Sequence, residues 1–367
     1  MRYLFLAGEA SGDLHAAALI RELRHLDTEA EIRGMGGDNM VSAGASIVVH
    51  ISELGFMGFT QLGKKAAIIR KTFSRIREEI LAFQPDLIVP VDFGGFNLRM
   101  IRWAHKKGFR SVYYIPPKVW AWMPGRSRKL ARYCEKVICI LPFEPDFLRN
   151  YGVNAEYAGN PVQNYTRHVG ELTGQSDLML GEQEMIALLP GSRDQEIRTI
   201  LPVMTSVVPD FPEFRFVVAA CDPFPDEYYQ NLTGSAKIEI IRGKTPEVLK
   251  EARAALVTSG TATLEAALLG VPQVVCYKTS GLSYLIARIL IRVKYISLVN
   301  LILGDEAVKE LIQSRLTKAD LSAELNKILR DGPSREHIMA GYHELHKKLG
   351  DWDASPRAAR ILRAAAM

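Results

Sequence analysis

Long apolar runs, paired cysteines, a metal-ligand cluster and a strong charge of either sign are all missing from this 367-residue chain. No 18 consecutive apolar residues occur, so no membrane-spanning helix is expected, although the chain can lie on a membrane. The four cysteines, Cys134, Cys139, Cys221 and Cys276, contain no C-x-x-C pair and no zinc spacing. Free structural thiols in a reducing cytoplasm are the expectation, not a disulfide scaffold. The eight histidines form neither a metal cluster nor a triad pattern. A formal charge of +5 is too weak to argue for nucleic acid, but suits an anionic ligand or an anionic membrane surface. The apolar run in "MRYLFLAGEASG" is only five residues long and leads into a fold element, so no signal peptide is expected.

What is present is a rhythm. Strand-like apolar runs at Tyr3–Ala7, Leu87–Val91, Ser111–Ile115 and Val137–Leu141 alternate with helical patterns. The second half repeats this with Met185–Leu189, Arg215–Ala219, Ile238–Ile241, Ala255–Thr258 and Gln273–Tyr277. Such alternation predicts an α/β protein with two parallel, doubly wound, Rossmann-like domains, which the length can accommodate. The turn-rich, polar segment 156–177 marks the seam, giving domains 1–165 and 166–344, with a final helix near 345–367. Two such domains facing across a cleft make the GT-B arrangement, although periodicity alone allows other two-domain α/β enzymes.

Ligands of open parallel sheets sit beyond the carboxyl ends of strands. After the first strand comes "GEASGD", residues 8–13, a small-residue loop opening a helix. In the second half, "ALLPGSRDQEI" runs from a strand through Gly191, Ser192 and Arg193 into a helix. Gly191 allows close backbone approach, the helix start supplies N–H groups, and Arg193 offers a planar fork for phosphate. The tetrapeptide alone fits an exposed structural turn equally well. "TSGTATLE" places Ser259, Gly260 and Thr261 at a second helix N-terminus. Glu265 lies about one turn further, where it can accept ribose hydroxyls or merely favour the helix dipole. Two anion loops with a sugar-hydroxyl acceptor point to a nucleotide diphosphate donor.

"GEASGD", "YIPPKVWAW", "LPFE", "LLPGSR", "SGTATLE" and "YISLVNLILG" occur here in the order and spacing of the lipid-A-disaccharide synthases, which the chain resembles from residue 3 to about 315. The resemblance implies a GT-B glycosyltransferase that moves 2,3-diacylglucosamine from UDP to the 6-hydroxyl of 2,3-diacylglucosamine 1-phosphate. The product is a β-1′,6 disaccharide, formed with inversion and with no metal or other cofactor. It implies that Asp92, which matches the first aspartate of a "GIDAPDFN"-like pattern, is the general base; helix capping is the alternative for an Asp in this position. It places the donor on Gly191, Ser192, Arg193, Ser259, Gly260, Thr261, Glu265 and Asn300, with Arg193 also stabilising the leaving charge. The opposite, acceptor-side wall is assigned to Gly8, Glu9, Ser11, Gly12 and Asp92. Glu9 and Asp13 would repel a phosphate seated in the opening loop, so its polar groups are expected to face sugar hydroxyls. Two departures from the pattern are Gly95, where the family has a second aspartate, and Asn160, where it has histidine. "DWD" at 351–353 matches a metal motif by letters only.

Both substrates implied by the resemblance carry acyl chains, so a peripheral position on the cytoplasmic face of the inner membrane is expected. In residues 53–80, Phe59, Leu62, Ala66, Ile69, Phe73, Ile76 and Ile80 recur at spacings of three and four among Lys64, Lys65, Arg70, Lys71, Arg75 and Arg77. This basic amphipathic pattern can lie in a lipid interface or cover a sheet, and pattern alone favours the sheet. Residues 284–303 form a second apolar stretch, broken by Arg288, Arg292 and Lys294, which can rim an acyl groove or a dimer surface. The final helix is expected to return to the first domain or to exchange between copies in a homodimer. The rival readings are another GT-B enzyme of UDP-GlcNAc, either an epimerase or a peptidoglycan-type transferase, and a non-catalytic nucleotide-binding module or membrane scaffold.

Overall fold

The computed structural model describes residues 1–54, 62–172, 183–221, 224–234, 236–281, 284 and 293–367. Phe59, residues 173–177 of the turn-rich segment, and Arg288 and Arg292 lie outside these described residues. Contacts divide the chain into two units, Met1–Pro161 with Asp351–Met367, and Val162–Gly350.

The first unit is built on seven parallel strands: β1 (Arg2–Ala7), β2 (Glu31–Gly36), β3 (Ser46–His50), β4 (Leu87–Val91), β5 (Val112–Tyr114), β6 (Lys136–Cys139) and β7 (Ala155–Tyr157). Their order is β3-β2-β1-β4-β5-β6-β7, so the winding reverses between β1 and β4. Both central strands are apolar throughout because helices cover the two faces of the sheet. From Tyr3 to Ala7 and from Leu87 to Val91 every residue is buried. One face packs under the helix Ala10–Leu26, through Ala16, Leu19, Ile20 and Leu23. The final helix, Ala354–Ala366, docks on the same side through Ala358, Ala359 and Leu362, where small residues permit close approach. Arg110 donates to the carbonyls of Ala365 and Ala366 at its end, as the helix dipole favours. The opposite face carries the helix Leu62–Phe83, whose Ile76 and Ile80 are fully buried, and the helix Gly94–Lys106.

The second unit holds six parallel strands, β8 (Met185–Leu189), β9 (Arg215–Ala220), β10 (Ile238–Arg242), β11 (Ala252–Thr258), β12 (Gln273–Tyr277) and β13 (Lys309–Ile312). The order is β10-β9-β8-β11-β12-β13, with the reversal between β8 and β11. Its core runs through Met185, Ala187, Val217, Val248, Ala255 and Val257. No helix among the described residues is long and apolar enough to cross a membrane.

Candidate functional site

Each reversal of strand order opens a crevice at the carboxyl ends of two neighbouring strands, the usual ligand position in such sheets. In the first unit these ends are Gly8, after β1, and Asp92, after β4. A Cβ on Gly8 would stand 2.2–2.5 Å from the ring atoms of Phe93, so the glycine makes room for that ring. Glu9, extended at φ −139° and ψ 158°, caps the helix Ala10–Leu26 without a side-chain bond and remains exposed, as does Ser11. Gly12 is buried in the first turn of that helix. Asp13 serves the fold. At 1% exposure it accepts from the backbone N–H of Gly37 (2.6 Å), Asn39 (3.1 Å) and Met40 (3.2 Å), and from Asn39 Nδ2 (2.8 Å). It thereby satisfies the open N-terminus of the helix Asp38–Ser42.

Asp92 and Phe93 are consecutive non-glycine residues in the left-handed region, at φ 46° and 47°. Such conformations cost about 1–3 kcal/mol each and persist only where surrounding structure imposes them. Here the restraints are explicit. The carbonyl of Asp92 accepts from Asn97 Nδ2 (2.8 Å) and from the Tyr113 hydroxyl (2.6 Å). Asn97 Nδ2 also reaches the carbonyl of Leu6 (3.0 Å), so one fully buried amide ties β1 to the turn after β4. The Asp92 N–H donates to the Tyr114 carbonyl (3.2 Å). Pro117 packs against Gly94, where a Cβ would come within 2.6 Å. The elbow turns the Asp92 side chain off the strand, with its carboxylate partly buried. Burial raises its pKa, the neighbouring Glu9 charge adds to the rise, and Lys118 and the Phe93 N–H oppose it. A poised carboxyl of this kind can accept a proton from a hydroxyl.

The loop after β5 is anchored by Glu144, 2% exposed, which accepts from Trp120 Nε1 (3.0 Å) and from the N–H groups of Leu141 (3.1 Å) and Ile140 (3.3 Å). Burial nevertheless pushes its pKa up to about 7. This joins the "VWAW" and "LPFE" segments into one wall. Asn160 is 1% exposed and donates from Nδ2 to the Ile140 carbonyl (2.9 Å), bracing the same loop.

In the second unit, Gly191 follows β8 and Ser259 follows β11. Gly191 has φ 104°, and a Cβ there would press within 2.7 Å of Glu196 Oε2. The Arg193 guanidinium is 76% exposed, donates to Glu196 Oε1 three residues on (2.9 Å), and stands at the start of the helix Asp194–Thr205. Ser192 is exposed beside it. Ser259 Oγ donates to the Ile296 carbonyl (2.9 Å), and Gly260 and Thr261 open the helix Thr261–Leu268. The first N–H groups of these two helices have no intrahelical acceptor, and with the Arg193 fork they can hold two phosphate groups. Glu265 is partly buried, and burial, reinforced by the charge of Glu247, pushes its pKa up to about 7. Burial first, and then the charges of Glu265 and Glu247, hold the Tyr165 hydroxyl above its ordinary pKa, which places the three side chains near one another.

Asn300 corrects an expectation. It is fully buried, and all four of its hydrogen-bonding valences are used within the unit. Its amide NH2 donates to the Val308 carbonyl (2.8 Å) and Glu310 Oε1 (2.9 Å), and its oxygen accepts from the Ala307 and Val308 N–H groups (2.9 and 3.0 Å). It braces a loop and presents nothing to a donor. Asn97, Tyr113, Lys118, Glu144 and Glu247 were not singled out by sequence reasoning. Of these, only Asn97 carries a local signal, a polar residue on a buried helix stripe five positions after Asp92. Among the described residues, no group of three or more His, Cys, Asp or Glu side chains is placed to hold a metal ion.

A family model described as lipid-A-disaccharide synthetase matches residues 3–362. A lipid-A-disaccharide synthase of Myxococcus xanthus is 35% identical over 367 residues, covering 98% of this chain and 96% of its own. One from Syntrophus aciditrophicus is 36% identical over 369 residues, covering 97% and 95%. Among solved structures, a Neisseria meningitidis UDP-GlcNAc 2-epimerase bound to UDP-GlcNAc superposes with a TM-score of 0.67 at 13% identity, over 100% of this chain and 99% of its own. The Staphylococcus aureus MnaA–UDP co-structure gives 0.69 at 14% identity, over 99% and 96%. These structural likenesses establish the fold alone, which is GT-B.

Proposed function

This chain belongs to the lipid-A-disaccharide synthase family and is a UDP-sugar glycosyltransferase of lipid A biosynthesis; from that premise we propose that it transfers 2,3-diacylglucosamine from UDP to the 6-hydroxyl of 2,3-diacylglucosamine 1-phosphate. In this reading Asp92 accepts the proton of the 6-hydroxyl as that oxygen bonds to the anomeric carbon. The bond from that carbon to the diphosphate breaks on the opposite face, UDP departs with the electron pair, and the anomeric centre is inverted. Arg193, the N–H groups at Gly191–Arg193 and those of Gly260 and Thr261 in the Ser259–Thr261 loop meet the charge that develops on the diphosphate. Glu265 accepts the ribose hydroxyls. The diphosphate charge is met by protein groups, so the proposed reaction needs no metal. The work is done peripherally, on the cytoplasmic face of the inner membrane.

The observation that carries the catalytic assignment is the Asp92 elbow, a desolvated carboxyl held on strained backbone at the strand reversal. The test is transfer between the two acylated sugars in detergent and chelator, scoring UDP against disaccharide. Equal amounts of both are expected, and Asp92→Asn should retain UDP binding while losing turnover. Epimerised UDP-sugar without disaccharide would replace this reading with the epimerase one. Collapse of UDP affinity with near-normal turnover in Asp92→Asn would remove Asp92 as the base.

A further inference from the structure

Beside the Asp92 elbow the first unit holds a cavity of about 610 Å³. Ile69 and Phe73 of the helix Leu62–Phe83 form one wall, and Phe93 and Phe96 form the other. Phe96 meets Phe73 edge-on at 5.5 Å between centroids and stacks on Phe93 at 5.7 Å, so the aromatic wall is continuous up to the residue next to Asp92. Two cations, Arg70 and Arg99, line the same groove. Both are exposed, and neither forms an ion pair or hydrogen bond among the described residues. Most arginines nearby are engaged: Arg75 with Glu53, Arg33 with Glu79, Arg77 over the Trp103 ring. At Gly95 an added Cβ would meet nothing within 4 Å, so the groove is open there. An aspartate at this position, as in the resembled pattern, would place a carboxylate in the groove with the two arginines; glycine leaves them uncompensated.

We infer that Arg70 and Arg99 are the specificity determinants for an anionic acceptor, binding the phosphate of an acylated sugar phosphate whose acyl chain occupies the groove between Phe73 and Phe93. The inference rests on the acceptor named under Proposed function and assigns the part of this site that recognises it. Charge complementarity selects the occupant. An apolar wall alone would take any lipid, whereas a groove with two unpaired guanidinium groups favours an amphiphile whose anionic group lies close to its acyl chain. Placement against the Asp92 elbow ties that amphiphile to the acceptor and not to the UDP donor, whose loops belong to the second unit.

The test compares two acceptors, 2,3-diacylglucosamine 1-phosphate and the same sugar without phosphate, in neutral detergent micelles. For each, equilibrium binding and kcat/KM are measured with wild type, Arg70→Gln, Arg99→Gln and the double variant. Each single substitution should weaken binding and lower kcat/KM of the phosphorylated acceptor by about ten- to hundredfold, the range for one charge-assisted hydrogen bond. The dephosphorylated acceptor and the KM for donor should change less than about twofold, a split that simple unfolding would not produce. Gly95→Leu, whose Cβ has open space at the mouth of the groove, should weaken both acceptors. Equal losses for both acceptors in the arginine variants, or no loss, overturns the inference. So does weaker sedimentation of the variants with phosphatidylglycerol vesicles at unchanged acceptor affinity, because the pair would then serve the bilayer surface. Discrimination in binding by a wild type that makes no disaccharide would uphold the subsite while refuting the proposed reaction.

Discussion

Removing the Tyr113 hydroxyl is the sharpest probe of the elbow that presents Asp92. The hydroxyl donates to the Asp92 carbonyl at 2.6 Å from a fully buried ring, and Asn97 donates to the same carbonyl at 2.8 Å. Tyr113→Phe leaves that carbonyl bonded to Asn97, so the stability cost should be only about 1 kcal/mol. The conformational consequence is larger. Two left-handed residues store about 2–6 kcal/mol, comparable to the roughly 3 kcal/mol that three hydrogen bonds at this turn contribute. Loss of one bond loosens the elbow, and Tyr113→Phe with Asn97→Ala should release it. A displacement of about 1 Å in a reacting group costs on the order of a hundredfold in rate, so the double variant should lose about that much in kcat and the single variant about tenfold. Release also exposes the carboxyl to water, which lowers its raised pKa and moves the acid limb of the pH–rate profile to lower pH. UDP affinity, read by calorimetry, should not change, because its loops belong to the other unit. Full turnover with an unshifted acid limb in a folded double variant would refute the claim that strain positions Asp92.

Three further outcomes follow from the same geometry. Gly8→Ala drives a Cβ to 2.2 Å from the Phe93 ring, whereas Gly12→Ala meets nothing closer than 3.6 Å; thermal melts should show a loss of about 1–3 kcal/mol for the first and a neutral change or a gain of up to about 1 kcal/mol for the second. Asp13→Ala strands two buried donors, the N–H groups of Gly37 and Met40, and two part-buried ones on Asn39, and should destabilise the first unit by about 3 kcal/mol, with urea melts as the check and an unchanged midpoint as the refutation. Glu265 is held up from 4.5 to about 7. A raised carboxyl pKa contributes stability that is present below about 4.5 and lost as pH rises through about 7, here no more than about 3 kcal/mol. UDP affinity should move the other way, since only the ionised carboxylate accepts two ribose hydroxyls: roughly tenfold tighter above pH 7 than at pH 6, a dependence that Glu265→Gln should abolish.

The α/β class and the central strands of both sheets were legible because central parallel strands must be apolar on both faces. Runs such as "YLFLA" and "LIVPV" therefore stand out whatever surrounds them. Four strands escaped notice. In β2, "EIRGMG", glycine reads as a turn, yet Gly34 is there because a Cβ would stand 1.9 Å from the Phe5 carbonyl oxygen of the adjacent β1. In β13, "KELI", half the residues are charged. Glu310 belongs there because it accepts the N–H groups of Ile296 and Ser297 and the Asn300 amide. The two edge strands β3 and β7 have one partner each and are only five and three residues long, too short for a periodic signal. The helix Leu62–Phe83 follows its three-and-four spacing, but the spacing does not show that one stripe divides between core at Ile76 and Ile80 and groove at Ile69 and Phe73.

At the site, residue type proved a weaker guide than unfilled valence. Asp13, Asp92, Asn97 and Asn300 are all short polar side chains beside strand ends or helix starts, and a sequence reader sees four equivalent candidates. Asp13 and Asn300 have spent their capacity on internal groups, four contacts each, so neither can bind substrate without breaking the fold. Asn97 has spent its NH2 on holding backbone, and acts through the position it gives Asp92. The opposing bonds to the Asp92 carboxyl come from the Phe93 N–H, with Lys118 nearby, and they do not outweigh burial. It is this imbalance, a partly buried carboxyl whose desolvation is not offset by donors, that supports the proposed role of Asp92 as proton acceptor. The residues that hold the elbow, Asn97, Tyr113 and Tyr114, lie 5 to 22 residues along the chain and bind it through main-chain atoms of Asp92, which is why the proposed base could be named from the sequence and its supports could not.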